Sequence, residues 1–268
     1  NIIKSRLVHL MFGQELGPHE RQAVPLEKVV LQLENLNLRD RRLPIEDLNL
    51  SVRQGEVIGL AGLDNSGQGL AMRAICGLET VSSGRVLLED EELTNRSYRH
   101  FLHRGVVFGA AGRLEEGLIA GLTLTEHMAL VRSERAVLDW PALESYTRDS
   151  LQHYDVRGQA GDRIEQLSGG NQQRVLMALL PAKPRLLILE QPTRGLDVES
   201  ARWIWQQLLE RREGGTAILF SSVELDELVA YSDRILVFYA GRVHEVPDVA
   251  ATTIDELGYL IGGEFRQE

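Results

Sequence analysis

The chain has 268 residues, of which 43% are hydrophobic and 25% charged, a composition typical of a globular protein with a sizeable core. Its formal net charge of -10 argues against duplex-DNA binding, because a DNA-binding surface needs a basic face. The single cysteine, Cys76, excludes an internal disulfide, and no apolar run approaches the ~20 residues that span a bilayer.

Residues 1–25 are predicted to be a tail and linker. Gly17-Pro18 interrupts a short helical pattern there, and the chain begins with Asn1 rather than Met. The spacing of apolar residues and glycine in residues 7–13 recurs in residues 257–263. Two interpretations stay open: the echo arises by chance, or residues 1–16 are the end of a preceding domain built like this one.

The next segment is predicted to hold strands, a loop and a helix. Apolar residues alternate in two runs between Val29 and Val52, the period of strands with one buried face. Residues 57–61 follow as an apolar strand. After a loop, Leu70–Cys76 is predicted to be a helix that ends at Gly77.

The loop between this strand and helix resembles a phosphate-binding loop with two altered positions. The pattern G-x-x-x-x-G-K-[ST] binds phosphates through backbone N–H groups, a lysine and a hydroxyl that ligates Mg²⁺. Here Gln68 stands at the lysine position and Gly69 at the hydroxyl position. Taken alone, the loop fits an ordinary strand-to-helix turn equally well. The candidate nucleotide-binding residues are Gly62, Asn65, Ser66, Gly67, Gln68, Gly69 and Leu70.

Strands and helices alternate through the rest of the chain. Apolar runs predict strands at Val106–Phe108, Leu186–Leu189, Ala217–Phe220 and Ile235–Phe238. Helical spacing predicts helices at Gln172–Leu180 and Ala201–Arg212. Residues 126–154 have helical spacing without strand runs, which indicates an inserted helical lobe. This alternation predicts an α/β fold with a largely parallel sheet.

The most specific segment is the string Leu-Ser-Gly-Gly-Asn-Gln at residues 167–172, which opens a predicted helix. Ser168 and two glycines at a helix N-terminus form an anion site, because N–H groups, a hydroxyl and the positive helix end point at one spot. A plain serine cap with a glycine turn would explain Ser-Gly-Gly alone. It does not explain the whole string together with the motif that follows it.

That second motif is an apolar strand that ends in a carboxylate, Glu190, and continues through Gln191-Pro-Thr-Arg-Gly-Leu to Asp197. With both motifs, residues 26–263 resemble an ABC-type ATPase domain. The resemblance implies a P-loop NTPase-like α/β fold with a mainly parallel core sheet, an antiparallel β subdomain and a helical lobe at about 112–175. It assigns a Walker B strand that ends at Glu190 and Gln191, and a D-loop at Asp197. The signature motif that it assigns comprises Ser168, Gly169, Gly170, Asn171 and Gln172.

Measured against that family, the hydrolytic residues are degenerate. Glu190 stands for an aspartate, and Gln191 stands at the general-base position, where an amide cannot take a proton from water. Val223 falls at the switch-histidine position and Ala111 at the metal- and water-linked position of the Q-loop. Residues 26–50 contain no aromatic residue to stack on adenine. We expect hydrolysis at this loop to be very slow or absent, with weak binding of ATP and weak or absent binding of Mg²⁺.

The resemblance also implies partners. Two such domains face each other in the family, so Ser168, Gly169 and Gly170 would complete a site whose phosphate loop belongs to a second ABC ATPase domain. The motifs are most similar to the C-terminal half of tandem ATPase subunits of simple-sugar and nucleoside importers. The second domain is then the N-terminal half of the same polypeptide, and the other partners are integral membrane permease subunits. The implied location is cytoplasmic, at the inner face of the cell membrane, without nucleic acid.

Two other functions stay open at this stage. One is a non-hydrolysing, nucleotide-sensing or structural pseudo-ATPase domain that docks the permease; the intact signature favours an energy-coupling role over it. The other is a non-transport ABC protein that works on DNA or the ribosome. That function calls for a long coiled insertion or a basic arm, and the sequence contains neither.

Overall fold

The computed structural model of the protein describes residues 28–39, 43–132 and 137–265. The tail predicted at residues 1–25, and with it the first copy of the echo, lies outside the described residues. Two compact units make up the described chain. The first contains the residues up to Phe108, residues 185–190 and the residues from Arg212 onward, and the second contains residues 109–184 and 191–211.

The strands are, in chain order, β1 (Val29–Leu38), β2 (Ile45–Arg53), β3 (Val57–Gly62), β4 (Val81–Leu88), β5 (Glu91–Glu92), β6 (Val106–Gly109), β7 (Leu186–Glu190), β8 (Ala217–Ser221), β9 (Arg234–Tyr239) and β10 (Arg242–Val246). The α-helices are α1 (Gln68–Ile75), α2 (Tyr98–His103), α3 (Leu124–Arg132), α4 (Trp140–His153), α5 (Gly169–Leu179), α6 (Val198–Glu213), α7 (Leu225–Tyr231) and α8 (Ile254–Ile261). A π-helix covers Arg113–Gly117, and short 3-10 helices cover Ile164–Gln166 and Val249–Ala251. Among the described residues, none of these helices combines the length and apolarity that crossing a bilayer demands.

One sheet is antiparallel, with the strand order β2-β1-β4-β5. Leu31 in its central strand pairs with Val52 on one side and Leu88 on the other, and all three side chains are buried. Because side chains alternate across a strand, the intervening polar residues face outward, which is the alternation seen in the sequence. This sheet confirms the antiparallel subdomain of the expected fold.

The second sheet has the order β10-β9-β3-β8-β7-β6. The pairs β9–β3, β3–β8 and β8–β7 are parallel. Among the pairings described, only that of β10 with β9 is antiparallel. Strands β3, β7 and β8 are apolar along almost their whole length and are buried on both faces, as parallel strands covered by helices must be. The prediction of a mainly parallel core sheet is confirmed.

The second unit has its own small apolar core. Its helices α3, α4 and α5 contribute Leu124, Leu151 and Val175. Leu118 precedes α3, and Val156, Ile164 and Leu167 come from the segment between α4 and α5. Helix α4 begins where Asp139 Oδ1 accepts a hydrogen bond from Ala142 N at 3.1 Å. Asp139 is thus the cap of this helix.

Element boundaries differ from the predictions where polar residues begin a helix. Helix α1 starts at Gln68 rather than Leu70, and α5 starts at Gly169 rather than Gln172, because a first turn needs no apolar face. Strands β4 and β10 were not predicted. The sequence of β4 begins Val-Ser-Ser-Gly, and its strand conformation depends on pairing with β1.

Candidate functional site

The loop between β3 and α1 has the backbone of an anion-binding nest. Gly62, Asn65 and Gly67 have φ angles of 153°, 63° and 114°, in the left-handed region that glycine and asparagine tolerate best. Residues of this type turn successive N–H groups toward a common point. Gly67 leaves no room for a side chain, because a Cβ there would lie 2.8 Å from Ile45 Cδ1. The loop therefore has the backbone expected of a phosphate site.

Gln68, at the lysine position of the loop, folds back over the strand end. Its Nε2 donates a hydrogen bond to Leu63 O at 3.3 Å, and a Cβ on Gly62 would lie only 2.3 Å from that nitrogen. The amide thus lies in the mouth of the loop, as a side chain that contacts phosphate must. It brings two N–H donors there but no charge.

Glu190, at the carboxylate position of the Walker B strand, is held by an arginine. Arg73 Nε donates to Glu190 Oε1 and Arg73 Nη2 donates to Glu190 Oε2, each at 3.1 Å. The glutamate is nearly buried, with 11% of its side chain exposed, and a Cβ on Gly69 would lie 3.4 Å from its Oε1. The carboxylate of Glu190 therefore lies beside the first turn of α1, where it is paired with Arg73.

Arg73 was missed in the sequence. It is fixed on a second side by the ring of Phe108, whose centroid lies 5.1 Å from the guanidinium carbon. The available signal was its spacing: Arg73 is four residues after Gly69, so both lie on one face of the predicted helix. Its partner is 117 residues away along the chain, a distance that no local pattern bridges.

These residues do not fit a magnesium ion. Mg²⁺ prefers anionic and hydroxyl oxygens in an octahedral arrangement. Gly69 has no side-chain oxygen, and both oxygens of Glu190 already accept hydrogen bonds from a guanidinium. In the described ranges, no group of three or more His, Cys, Asp or Glu side chains is placed to hold a metal ion.

The predicted switch position lies after β8. Val223 is exposed and apolar, so its side chain cannot hydrogen-bond a phosphate. The polar groups beside it are engaged within the chain: Ser222 Oγ donates to Glu227 Oε2 and accepts from Glu224 N. Ser222 and Glu227 are both buried, so their contact stabilises the start of α7.

The predicted signature residues form the start of α5 in the second unit. Ser168 occupies the cap position, but its hydroxyl makes no capping bond to the helix backbone. It accepts a hydrogen bond from Asn171 Nδ2 at 2.9 Å, and Asn171 Oδ1 accepts one from Arg157 N at 2.7 Å. Gln172 is buried and donates to Leu167 O at 3.0 Å. Ser168 itself is exposed, so the plain-cap interpretation does not describe this turn.

An arginine that the sequence analysis did not single out lies over this turn. Arg113 begins the π-helix and donates from Nη1 to Arg194 O at 2.9 Å. Its Nη2 would lie 3.2 Å from a Cβ on Gly169. The permanent positive charge of Arg113 therefore lies beside the N-terminus of α5. The guanidinium charge and the positive end of the helix dipole both favour an anion there.

Gln191 and Asp197 occupy the segment before α6. Gln191 has a φ of 46°, unusual for a residue other than glycine, and its Oε1 is buried without a hydrogen-bond partner in the part of the chain that is described. Asp197 accepts hydrogen bonds from Ser200 N at 2.9 Å and Ser200 Oγ at 2.8 Å, and these hold the pKa of its carboxyl below the usual range. The residue predicted to form the D-loop thus caps α6.

Comparison with known proteins gives a consistent set of relatives. A family model described as "ABC transporter" matches residues 45–194. A nucleoside import ATP-binding protein of Lactococcus lactis is 36% identical over 274 residues, covering 97% of this chain and 54% of that protein. A ribose import ATP-binding protein of Oceanobacillus iheyensis is 32% identical over 271 residues, covering 98% and 54%. The chain thus spans about half the length of the curated relatives it matches.

Solved structures share the fold. An ATP-binding cassette of an ABC transporter superposes with a TM-score of 0.72 at 19% identity, over 88% of this chain and 96% of that one. A second, described as the ATP-binding subunit of an ABC transporter, gives 0.70 at 21% identity, over 87% and 99%. At these identities the likeness concerns the fold alone.

Proposed function

The chain belongs to the ABC transporter family, and from this premise we propose that it is the ATP-binding domain of an importer for a nucleoside- or sugar-like solute. Its likeness in fold to ATP-binding cassettes supports the domain type. The class of solute is supported by the relatives, which are named for nucleoside and ribose import.

Within that importer, the signature turn completes the nucleotide site of a second ATPase domain. The observation that carries this proposal is the start of α5, where Ser168 is exposed and leaves the first-turn N–H groups without a side-chain cap. Arg113 adds positive charge at the same place. Donors aimed at a terminal phosphate are the groups that stabilise charge during phosphoryl transfer.

The chain's own loop binds ATP weakly and hydrolyses it very slowly or not at all. Gln68 brings no charge, Gln191 cannot accept a proton from water, and Val223 cannot contact the γ-phosphate. The loss of one polar group of this kind costs about 10²–10³ in rate, although losses that act on one step do not simply multiply. The loop thus lines a second, largely inactive site.

The partners follow from length and charge. We propose that the second ATPase domain is the N-terminal half of the same polypeptide, and the length of the curated relatives, about twice that of this chain, leaves room for it. Integral permease subunits complete the importer, so the domain works at the cytoplasmic, inner face of the membrane. A net charge of -10 disfavours a role on nucleic acid.

The test is ATP hydrolysis by the assembled ATPase subunit that contains this domain. Ser168→Arg fills the signature turn and should abolish hydrolysis, while Gln68→Ala should matter far less. Gln152→Arg, which adds the same charge at an exposed position of α4, is the matched control and should leave the rate unchanged. The reverse ranking of Ser168→Arg and Gln68→Ala would reject the division of labour. Unchanged hydrolysis by all three variants would reject the signature's role.

A further inference from the structure

We infer that Arg73 takes the place of a metal ion at this loop, so that nucleotide binds there equally well with and without Mg²⁺. The inference rests on the proposed binding of ATP by residues 62–69 and assigns a positioning role to an arginine that the family resemblance does not bring out. Its basis is the two-pronged contact of the guanidinium with Glu190.

Gly69 lies beside this contact. Gly69 and Arg73 are four residues apart and share a face of α1, and helical side chains lean toward the N-terminus. Arg73 therefore reaches Glu190 from the face of α1 on which a serine or threonine hydroxyl would stand. Glu190, one methylene longer than an aspartate, comes within 3.4 Å of a Cβ built at residue 69. The hydroxyl is thus absent at the place where the carboxylate is paired with arginine.

The contact removes the negative charge that would attract a divalent cation. An arginine side chain stays protonated at all physiological pH values, so the positive charge beside Glu190 is permanent. Phe108 supports the guanidinium on a further side, and 29% of the Arg73 side chain remains exposed. A second cation placed within reach of the Glu190 oxygens would be repelled by a charge already 3.1 Å from them. At this strand end the arginine supplies the positive charge that a metal ion would otherwise bring to Glu190.

The experiment measures ATP binding by the full 268-residue chain, by equilibrium dialysis, in Mg²⁺ and in EDTA. For the unaltered chain we expect the two dissociation constants to agree within about twofold, because no carboxylate is free to hold the ion. The double variant Gly69→Ser with Arg73→Met supplies a hydroxyl and frees the carboxylate. Its affinity should become about tenfold higher in Mg²⁺ than in EDTA, the size of one charge-assisted contact.

The matched control is Arg85→Met, which removes an exposed arginine from its ion pair with Glu34 on the antiparallel sheet. It should keep the metal-independent binding of the unaltered chain. Mn²⁺, followed by electron paramagnetic resonance, provides a second readout that reports on the metal rather than on the nucleotide. The double variant with ATP should immobilise Mn²⁺, and the unaltered chain with ATP should not retain it on the protein.

The outcomes separate the inference from the proposed function. If the unaltered chain binds ATP tenfold more tightly in Mg²⁺, the role of Arg73 is overturned while ATP binding by the loop stands. If the chain binds ATP in neither condition, nucleotide binding by the loop fails and the inference falls with it. The comparison on the unaltered chain decides the matter even if the double variant does not fold.

Discussion

The substitution Gln68→Lys should tighten ATP binding at the chain's own loop. In the structure the Gln68 amide already lies in the mouth of the loop, with Nε2 3.3 Å from Leu63 O. A lysine is one atom longer, and its ammonium reaches the same region. The backbone of residues 62–67 needs no change to receive it, since the nest is formed by the main chain.

The size of the gain follows from exchanging a neutral donor for a charged one. A hydrogen bond to a charged group contributes about 1.5–3 kcal/mol and a neutral one about 0.5–1.5 kcal/mol, so the exchange should add about 1–2 kcal/mol. That corresponds to about five- to thirtyfold tighter binding. Because the contact is partly exposed, the gain should shrink as salt is raised from low to physiological concentration.

Equilibrium dialysis with labelled ATP, in EDTA and at low salt, measures this change. Gln68→Met is the matched control, because it keeps the length of glutamine without polarity, and it should not bind more tightly than glutamine. Hydrolysis should stay negligible in the lysine variant, since Gln191 and Val223 are unaltered. A lysine variant that binds ATP no better than the methionine variant would refute the placement of this side chain beside the phosphates.

Three further predictions concern stability. Arg212 donates to Gly55 O and, through Nη2, to both oxygens of Asp233, and its side chain is only 8% exposed. Arg212→Met should lower the free energy of unfolding in urea by about 2–4 kcal/mol, because the partly buried carboxylate of Asp233 loses its guanidinium partner. An equal loss in the exposed-pair variant Arg148→Met would contradict this. Gly67→Ala should cost about 1–3 kcal/mol from its φ of 114° alone. Gly67→Ala should also weaken ATP binding. An unchanged unfolding midpoint would show that alanine fits this backbone conformation without strain and would contradict the prediction. Burial raises the pKa of the Cys76 thiol from 9.0 to about 12. The buried neutral thiol therefore makes its full contribution to the free energy of unfolding below pH 9, and this contribution is lost as the pH rises toward 12. The unaltered chain should lose stability over that interval more steeply than Cys76→Ala, and parallel pH profiles would argue against burial of this thiol.

Most of the fold was predictable because the core strands carry their own signal. Leu186–Leu189 is an uninterrupted apolar run, and the strand found is Leu186–Glu190. Such strands are buried on both faces, so their identity does not depend on a partner. Strand β10 is short and mixes charged with apolar residues, and it exists because its backbone pairs with β9 from Arg242 to Val246. Pairing of this kind is not written in a local pattern.

For the candidate site, the sequence indicated which backbone segments would expose N–H groups. It did not indicate which side chains would pair with each other. The glycines of the loop and of the signature turn indicated where N–H groups would be exposed, and the left-handed φ of Gly67 agrees with that reasoning. The pairing of Arg73 with Glu190 joins residues that are distant in sequence, so only tertiary structure reveals it. The assignment of Asn171 to the anion cradle stays a prediction, and the bonds of its amide to Ser168 and to the backbone of Arg157 were not predicted.

The bonds that Asn171 makes have a kinetic consequence. The signature turn at Ser168 is ordered by hydrogen bonds within its own chain. Docking of another protein therefore does not have to order it. A surface that is already ordered loses little conformational entropy on association. The rate of complex formation is then set by diffusional encounter, and the lifetime of the complex can depend on the nucleotide. In the proposed pairing with a second ATPase domain, loosening this asparagine should therefore slow association even where every contact of the final complex is retained.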